Sequence, residues 1–306
     1  MRRRVGIIGT GWVGSSVAIS TLHSGAADEL LLHDARGEVA KGEAMDLAQG
    51  ASFYPTAEVR TAAIEEMVDA DVVVVTAGRG GKPTESRLDL LRDNAKIIRT
   101  IGQQLAGCRG TIVMVTNPVD VLTQVMTEAS GLPPSRVLGT GTMLDTARLR
   151  HALGRVLQLD PRSVHAQVVG EHGDSEVVLW SGASVGGVSL RDWPGWSRDR
   201  EPAIAEEVRT AAYEIIRRKG STNHAIGLVT ANLLRCMLRG ERRVLTVSRV
   251  QDGHHGFNGV ALSLPTIVSA EGAVEVIAPD MDADERQRLE HSAEVLKQAA
   301  AQVSSV

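Results

Sequence analysis

The sequence predicts a doubly wound α/β sheet in its first half and an α+β domain in its second, on three observations. Through residue 140, short β-branched runs alternate with amphipathic stretches at spacings of about 25 to 40 residues. A glycine triad, Gly9, Gly11 and Gly14, directly follows the first run. After Gly141 the alternation gives way to long helical patterns with strand-like runs between them. Strands alternating with helices argue for right-handed crossovers, hence a parallel sheet covered on both faces.

Taken in order, residues 4–8, 30–34, 71–76 and 111–116 read as strands, with helical patterns separating them. Beyond Gly141 a helix is expected over 143–157, strands near 164–169 and 243–248, and long helices over 201–219 and 282–303. The 306 residues, at the usual ~100 to 200 per domain, make about two domains. The expected division is 1–140 and 141–306, with a packed interface in place of a linker.

Composition removes several classes of function. Hydrophobic residues are 43% of the chain, enough for buried cores, so disorder is not expected. A formal net charge of −4 offers no global positive field, so neither nucleic acid nor an anionic membrane is an expected partner. No apolar run approaches the ~18 to 20 residues that cross a bilayer. Arg2-Arg3-Arg4 and the following apolar residues imitate a secretory leader, but Gly9, Gly11 and Gly14 break the apolar part and no small-residue cleavage pattern follows. Cys108 and Cys236 build neither a disulfide framework nor a CxxC metal site, and the chain is expected to be cytoplasmic. His254-His255 lacks a third ligand at a recognisable spacing, so no metal is implied.

Gly9-Thr10-Gly11-Trp12-Val13-Gly14 lies between the first strand and a helix. Its first glycine permits the tight turn, its second lets the backbone approach a pyrophosphate, and its third lets helix and strand pack closely. An anion then sits on the helix N-terminus, where unpaired N–H groups and the dipole favour it. A lone GxGxxG is weak, but Asp34 follows about 20 residues after Gly14, where a carboxylate can accept from ribose hydroxyls. Residues 1–140 are therefore expected to be a dinucleotide-binding (Rossmann) domain. Asp34 repels a 2′-phosphate and favours NAD over NADP, with Arg36 nearby keeping NADP open.

Hydride transfer to a 2-oxo acid needs a carboxylate clamp, a proton donor at the carbonyl and a positive group to polarise it. Asp145 and Arg148 lie three apart on an expected helix and share a face. His172 follows a strand in Gly-Glu-His-Gly-Asp-Ser (170–175), and Arg87 follows a glycine-rich segment. Taken singly, each has a bland alternative: a hydrogen-bonded loop histidine, a surface ion pair, a solvated helix-start arginine. Jointly they stand in the order that one mechanism demands. The Tyr-x-x-x-Lys pair of short-chain dehydrogenases is absent, since Tyr54 is followed at that spacing by Glu58 and Tyr213 by Arg217.

At these residues the sequence resembles the NAD-dependent lactate/malate dehydrogenase family. The likeness rests on Gly-Glu-His-Gly-Asp-Ser-Glu (170–176), Leu-Asp-Thr-Ala-Arg (144–148), Thr-Asn-Pro-Val-Asp (116–120) and Glu-Ser-Arg-Leu-Asp-Leu (85–90). Lys-Gly-Ser-Thr-Asn-His-Ala-Ile-Gly (219–227) and Leu-Ser-Leu-Pro (262–265) extend it over essentially the whole chain. The Glu171 version of the histidine motif is more like lactate than malate dehydrogenases, the bacterial L-lactate enzymes above all.

The resemblance implies His172 as acid/base, Asp145 as its orienting partner, Arg148 as the carboxylate clamp and Arg87 as the carbonyl-polarising arginine. It further implies that Asn117 contacts nicotinamide and substrate, that Thr222 lies on the substrate side and that Ile226 walls the nicotinamide. Arg150 and His165 match positions at which bacterial members bind fructose 1,6-bisphosphate across a subunit interface, which implies a homo-oligomer, tetramer or dimer.

Two positions depart from the family. Gly81 stands where lactate dehydrogenases carry Gln and malate dehydrogenases Arg, and His224 where the former often carry Trp. The expected activity is that of an NAD-dependent L-2-hydroxyacid dehydrogenase of glycolytic type, taking pyruvate with broadened specificity. Two alternatives stay open: a malate dehydrogenase in which Arg79 or Lys82 pairs the second carboxylate, and a non-catalytic NAD-binding protein.

Overall fold

The computed structural model describes residues 2–80 and 86–303, with only the backbone of Arg87. The first half runs β1 (Arg4–Ile8), α1 (Trp12–Ser24), β2 (Glu29–His33), α2 (Gly37–Gln49), β3 (Glu58–Thr61), β4 (Val72–Val75), α3 (Arg87–Gln104), β5 (Thr111–Met114), α4 (Val119–Ser130) and β6 (Val137–Gly139). The second runs α5 (Met143–Leu157), β7 (Val164–Val169), β8 (Val177–Val185), β9 (Val188–Ser189), α6 (Glu201–Lys219), α7 (His224–Leu238), β10 (Arg243–Asp252), β11 (Asn258–Ser269), β12 (Gly272–Val276) and α8 (Ala283–Ala301).

Among the described residues, β12-β11-β10-β6-β5-β4-β1-β2-β3 form one sheet and β7-β8-β9 a second. From β3 to β6 all pairings are parallel, giving the 3-2-1-4-5-6 order of a doubly wound fold. The order reverses between β1 and β4, and the crevice beyond the carboxyl ends of these strands is where such sheets bind ligands. Their near-continuous Val, Ile and Leu content follows from burial on both faces: Val72 to Val75 are at most 2% exposed, and separate apolar clusters pack on the two sides. A third cluster joins α5, α6, β7 and β8.

Local chemistry sets several ends. Gly25 (φ 62°) and Gly131 (φ 67°) close α1 and α4 in the left-handed region. Ser86 caps α3 by accepting from the Asp89 N–H, and Asp282 with Glu285 forms a reciprocal capping box at the start of α8.

Several element ends shift by one or two residues from the sequence expectation, and three differences are larger in consequence. Strand β2 ends at His33, which leaves Asp34 just beyond it. Strand β10 continues past residue 248 to Asp252, and within it buried Arg249 and Gln251, 3% and 1% exposed, donate side-chain N–H groups to the carbonyls of Ala273 and Leu262. Third, β10 pairs β6 through Ser248 and Gly139, so the strands after residue 240 extend the first sheet with antiparallel partners. Among the described residues no helix is long and apolar enough to cross a membrane.

Candidate active site

The turn after β1 depends on missing side chains. Gly9 has φ 96° and donates its N–H to His33 O at 2.7 Å. A Cβ there would fall 2.6 Å from Ala77 N, and one on Gly14 only 1.9 Å from Gly9 O. Gly11, the N-cap of α1, has open space where its Cβ would be. The first and third glycines thus permit close packing, while the second leaves the helix N-terminus approachable.

Asp34 Oδ2 accepts the Thr10 N–H at 2.9 Å, and Oδ1 the Arg36 N–H at 3.0 Å. Burial alone would raise this carboxyl, but those two amides and the Arg36 charge hold it below the usual carboxylate range. It is ionised at neutral pH and 11% exposed, whereas the Arg36 side chain, 3.7 Å away, projects into solvent. Gly9, Gly11, Asp34, Thr76, Gly78 and Arg79 help line a cavity of about 650 Å³. Open amides for a pyrophosphate and an ionised carboxylate for ribose hydroxyls fit a dinucleotide without a 2′-phosphate.

The second part of the site is assembled on α5. Thr142 Oγ1 donates to Val168 O at 2.6 Å, and Thr146 Oγ1 accepts from Val168 N at 3.0 Å. These bonds stitch the first turn of α5 to the end of β7, so the residues after β7 arrive over Asp145. His172 Nδ1 lies 2.5 Å from Asp145 Oδ2, and Arg148 Nη1 donates to Asp145 Oδ1 at 2.9 Å. Asp145 is 2% exposed at its side chain, Arg148 13% and His172 21%.

Burial by itself would lower the imidazole pKa, but the Asp145 charge and hydrogen bond outweigh it and raise His172 to about 9. Asp145 moves the other way: burial disfavours its charge, and His172 and Arg148 hold it below the usual range. With Nδ1 held by Asp145, a protonated imidazole keeps its Nε2–H to give, while the guanidinium on the same carboxylate keeps further donors for a substrate carboxylate.

Sequence reasoning gave no role to Asp120, on the first turn of α4. Its Oδ2 accepts the His172 N–H at 2.8 Å, its Oδ1 is buried without a partner, and burial raises its carboxyl to about 6. The signal was present, since Asp120 closes the Thr-Asn-Pro-Val-Asp motif, but nothing local tells that it lies under a loop 52 residues away.

The other expected residues scatter around these two centres. Asn117, exposed after β5, precedes a cis Pro118, and its carbonyl accepts from Asn94 Nδ2 at 3.5 Å. Thr222 and Ile226 flank the start of α7, which Asn223 ties to α1 through Ser16 Oγ at 2.9 Å. Ile226 packs half-buried on the core that includes α1. His224 is exposed at the first residue of α7. Arg150 and His165 line one depression of about 360 Å³. Arg87 begins α3, with its side chain outside the described residues, as are Gly81 and Lys82 altogether. His254 Nε2 pairs with Asp252 at 2.9 Å, and among the described residues no group of three or more His, Cys, Asp or Glu is placed to hold a metal ion.

Comparison with known proteins gives this geometry its context. A family model described as lactate/malate dehydrogenase, NAD binding domain, matches residues 3–139, and one for the alpha/beta C-terminal domain of the same family matches 142–306. The chain is 44% identical to an L-lactate dehydrogenase of Moorella thermoacetica over 98% of both chains. It is 41% identical to one of Priestia megaterium, over 97% of this chain and 95% of that one. The crystal structure of a minor L-lactate dehydrogenase from Enterococcus mundtii superposes with a TM-score of 0.96 at 39% identity, covering 99% of this chain and 98% of the other. With two family models spanning nearly every residue, and both an anion-ready glycine turn and an imidazole held on a buried carboxylate, the chain belongs to the lactate/malate dehydrogenase family, NAD-dependent oxidoreductases acting on 2-hydroxy acids.

Proposed function

We propose that the protein interconverts pyruvate and L-lactate, with His172 as proton donor, Asp145 as its orienting partner and Arg148 as the carboxylate clamp. The carrying observation is the cluster in which Asp145 binds His172 at 2.5 Å and Arg148 at 2.9 Å. NADH bound in the glycine-lined cavity supplies the hydride. Arg148 grips the substrate carboxylate by two parallel N–H donors, which fixes orientation as well as charge. His172 gives its Nε2 proton to the carbonyl oxygen, and Asp145 stabilises the imidazolium before transfer and fixes the tautomer after it. Arg87 polarises the carbonyl, Asn117 meets nicotinamide and substrate, Thr222 lies on the substrate side and Ile226 walls the nicotinamide. Residues 1–140 form the dinucleotide-binding domain and 141–306 the substrate domain.

A dicarboxylic substrate needs a second cation. Arg79 gives Nε and Nη2 to Asp93 Oδ2 at 3.0 and 2.6 Å, which supports a neutral C3 substituent over oxaloacetate. The test is NADH oxidation with a panel of 2-oxo acids. Pyruvate should be accepted with C3-extended neutral acids tolerated, and a preference for oxaloacetate above about a hundredfold would overturn the pyruvate reading. His172→Asn should lose ~10²- to 10⁴-fold in turnover with NADH binding kept, and a loss below tenfold would remove its role. Arg87→Gln should lower kcat more than oxo-acid binding.

A sugar bisphosphate effector and a homo-oligomer, tetramer or dimer, complete the reading. Burial and the neighbouring Arg243 charge both lower the pKa of Arg150, so an anion in the depression shared with His165 would relieve an unfavourable cation. Trp12 and Leu228, 64% and 65% exposed on α1 and α7, support burial against another subunit. Fructose 1,6-bisphosphate should lower the half-saturating pyruvate concentration or enlarge the assembly in sedimentation. If it does neither, the effector reading fails. Two buried free thiols support a cytoplasmic location.

A further inference from the structure

The histidine loop is held by a hydroxyl from the other end of the chain. Ser292, fully buried on α8, accepts the Glu171 N–H at 2.8 Å and lies 3.0 Å from Ser175 Oγ. Ser175 Oγ in turn lies 2.5 Å from Glu171 Oε2, which also accepts the Ser175 N–H at 3.1 Å. Only one direction of protons satisfies all of these. Ser175 gives its single hydroxyl proton to Glu171 Oε2, so at the contact between the two serines Ser292 must be the donor. The result is a closed ring: Glu171 N–H to Ser292, Ser292 O–H to Ser175, Ser175 O–H to the Glu171 carboxylate. The ring ties together Glu171 and Ser175, the two ends of the segment that carries His172, and each bond polarises the next.

The surroundings leave this hydroxyl little freedom. A Cβ on Gly170 would fall 2.7 Å from Ser292 Oγ, and Gly170 itself is pinned by paired bonds of 2.9 Å to Ser263. Two turns earlier on α8, Glu285 receives the N–H of Ser181 at 2.9 Å and its hydroxyl as well. Helix α8 thus braces the chain on both sides of the histidine, while Asp120 holds the His172 N–H from below.

We infer that Ser292 is a positioning residue for the proton donor: by closing the Glu171–Ser175 ring it fixes the His172 backbone so that the imidazole stays on Asp145, making the C-terminal helix part of the catalytic apparatus. The inference rests on the reading of His172 as proton donor.

The test compares Ser292→Ala and Ser292→Cys in the full chain, with His172→Asn in parallel. Cysteine keeps the volume and loses most of the hydrogen bonding, so it separates the ring from simple packing. Both Ser292 variants should retain NADH affinity and lose on the order of tenfold in single-turnover NADH oxidation with pyruvate, short of the ~10²-fold that a 1 Å misplacement can cost. Their alkaline limb should move towards neutral pH by about 0.5 to 1, because an imidazole loosened from Asp145 loses part of the interaction that raises it. A cysteine variant with parental rate and pH profile, or an alanine variant slowed without any shift of the limb, would overturn the inference. If His172→Asn itself retains turnover, the failure belongs to the proton-donor reading.

Discussion

His172 Nδ1 and Asp145 Oδ2 lie 2.5 Å apart, with Arg148 on the second oxygen of the same carboxylate at 2.9 Å. One buried acid thus holds at once the two side chains proposed as proton donor and carboxylate clamp. Asp145→Asn should leave the imidazole without the charge that raises it to about 9. Its apparent pKa should fall towards the ordinary 6.5, and reduction of pyruvate at pH 7.5 should drop by ~10²-fold or more. In the parent, kcat for reduction should be level below about pH 9 and decline above it. The same raised pKa makes a stability contribution that is full below about 6.5 and lost as pH climbs through about 9. Initial rates and urea midpoints across pH 6 to 10 read both, and an unchanged profile in the asparagine variant would refute the pairing.

Glu176 Oε1 is buried without a partner four residues after His172. Burial pushes this carboxyl up to about 8, with the Asp145 charge adding to the rise while His172, Arg148 and Arg209 oppose it. It is uncharged at neutral pH, which leaves the Arg148 field free to attract a substrate anion. The KM for pyruvate should therefore climb as pH passes 8, before kcat declines near 9, and Glu176→Gln should flatten the climb. A glutamine variant whose KM still rises in parallel with the parent removes this explanation.

Gly14→Ala places a Cβ 1.9 Å from Gly9 O, a backbone atom that has no way to swing aside. Overpacking of this kind costs about 1 to 3 kcal/mol, and here it also spreads the turn that receives the dinucleotide. A lower melting temperature and NADH affinity weakened at least tenfold are expected, the first by calorimetry and the second by fluorescence titration. Gly11→Ala, with open space at its Cβ, should melt normally while still weakening NADH.

Gly81 precedes the helix that begins at Arg87, at the place where the resemblance puts the residue meeting the C3 group. Gly81→Arg should raise the oxaloacetate-to-pyruvate preference by about tenfold or more, since a second carboxylate is costly to enclose unpaired. Gly81→Gln should sharpen the preference for pyruvate. Specificity constants for the two acids decide the matter, and no change in their ratio with arginine would mean that position 81 does not face the substrate.

What the sequence determined by itself is local. The glycines of 9–14 and Asp34 announced a dinucleotide turn because each answers a constraint within one short β–α–β unit. Strand β1, helix α5 and strand β7 came out residue for residue at 4–8, 143–157 and 164–169, since periodicity and β-branching act over a few neighbours. His172, Asp145 and Arg148 were legible as motifs and the resemblance paired Asp145 with His172, but the closeness of that pair and the Arg148 bond to the same carboxylate were not. Tertiary structure alone decided that β10 would pair β6 and carry the sheet past residue 140. It alone set Asp120 beneath His172 across 52 residues and Ser292 against Glu171 across 121. The physical reason is that a buried N–H must find an acceptor wherever packing brings one, and which hydroxyl or carboxylate that is depends on how α4, α8 and the β7–β8 loop pack together, a distance in space that no local pattern encodes.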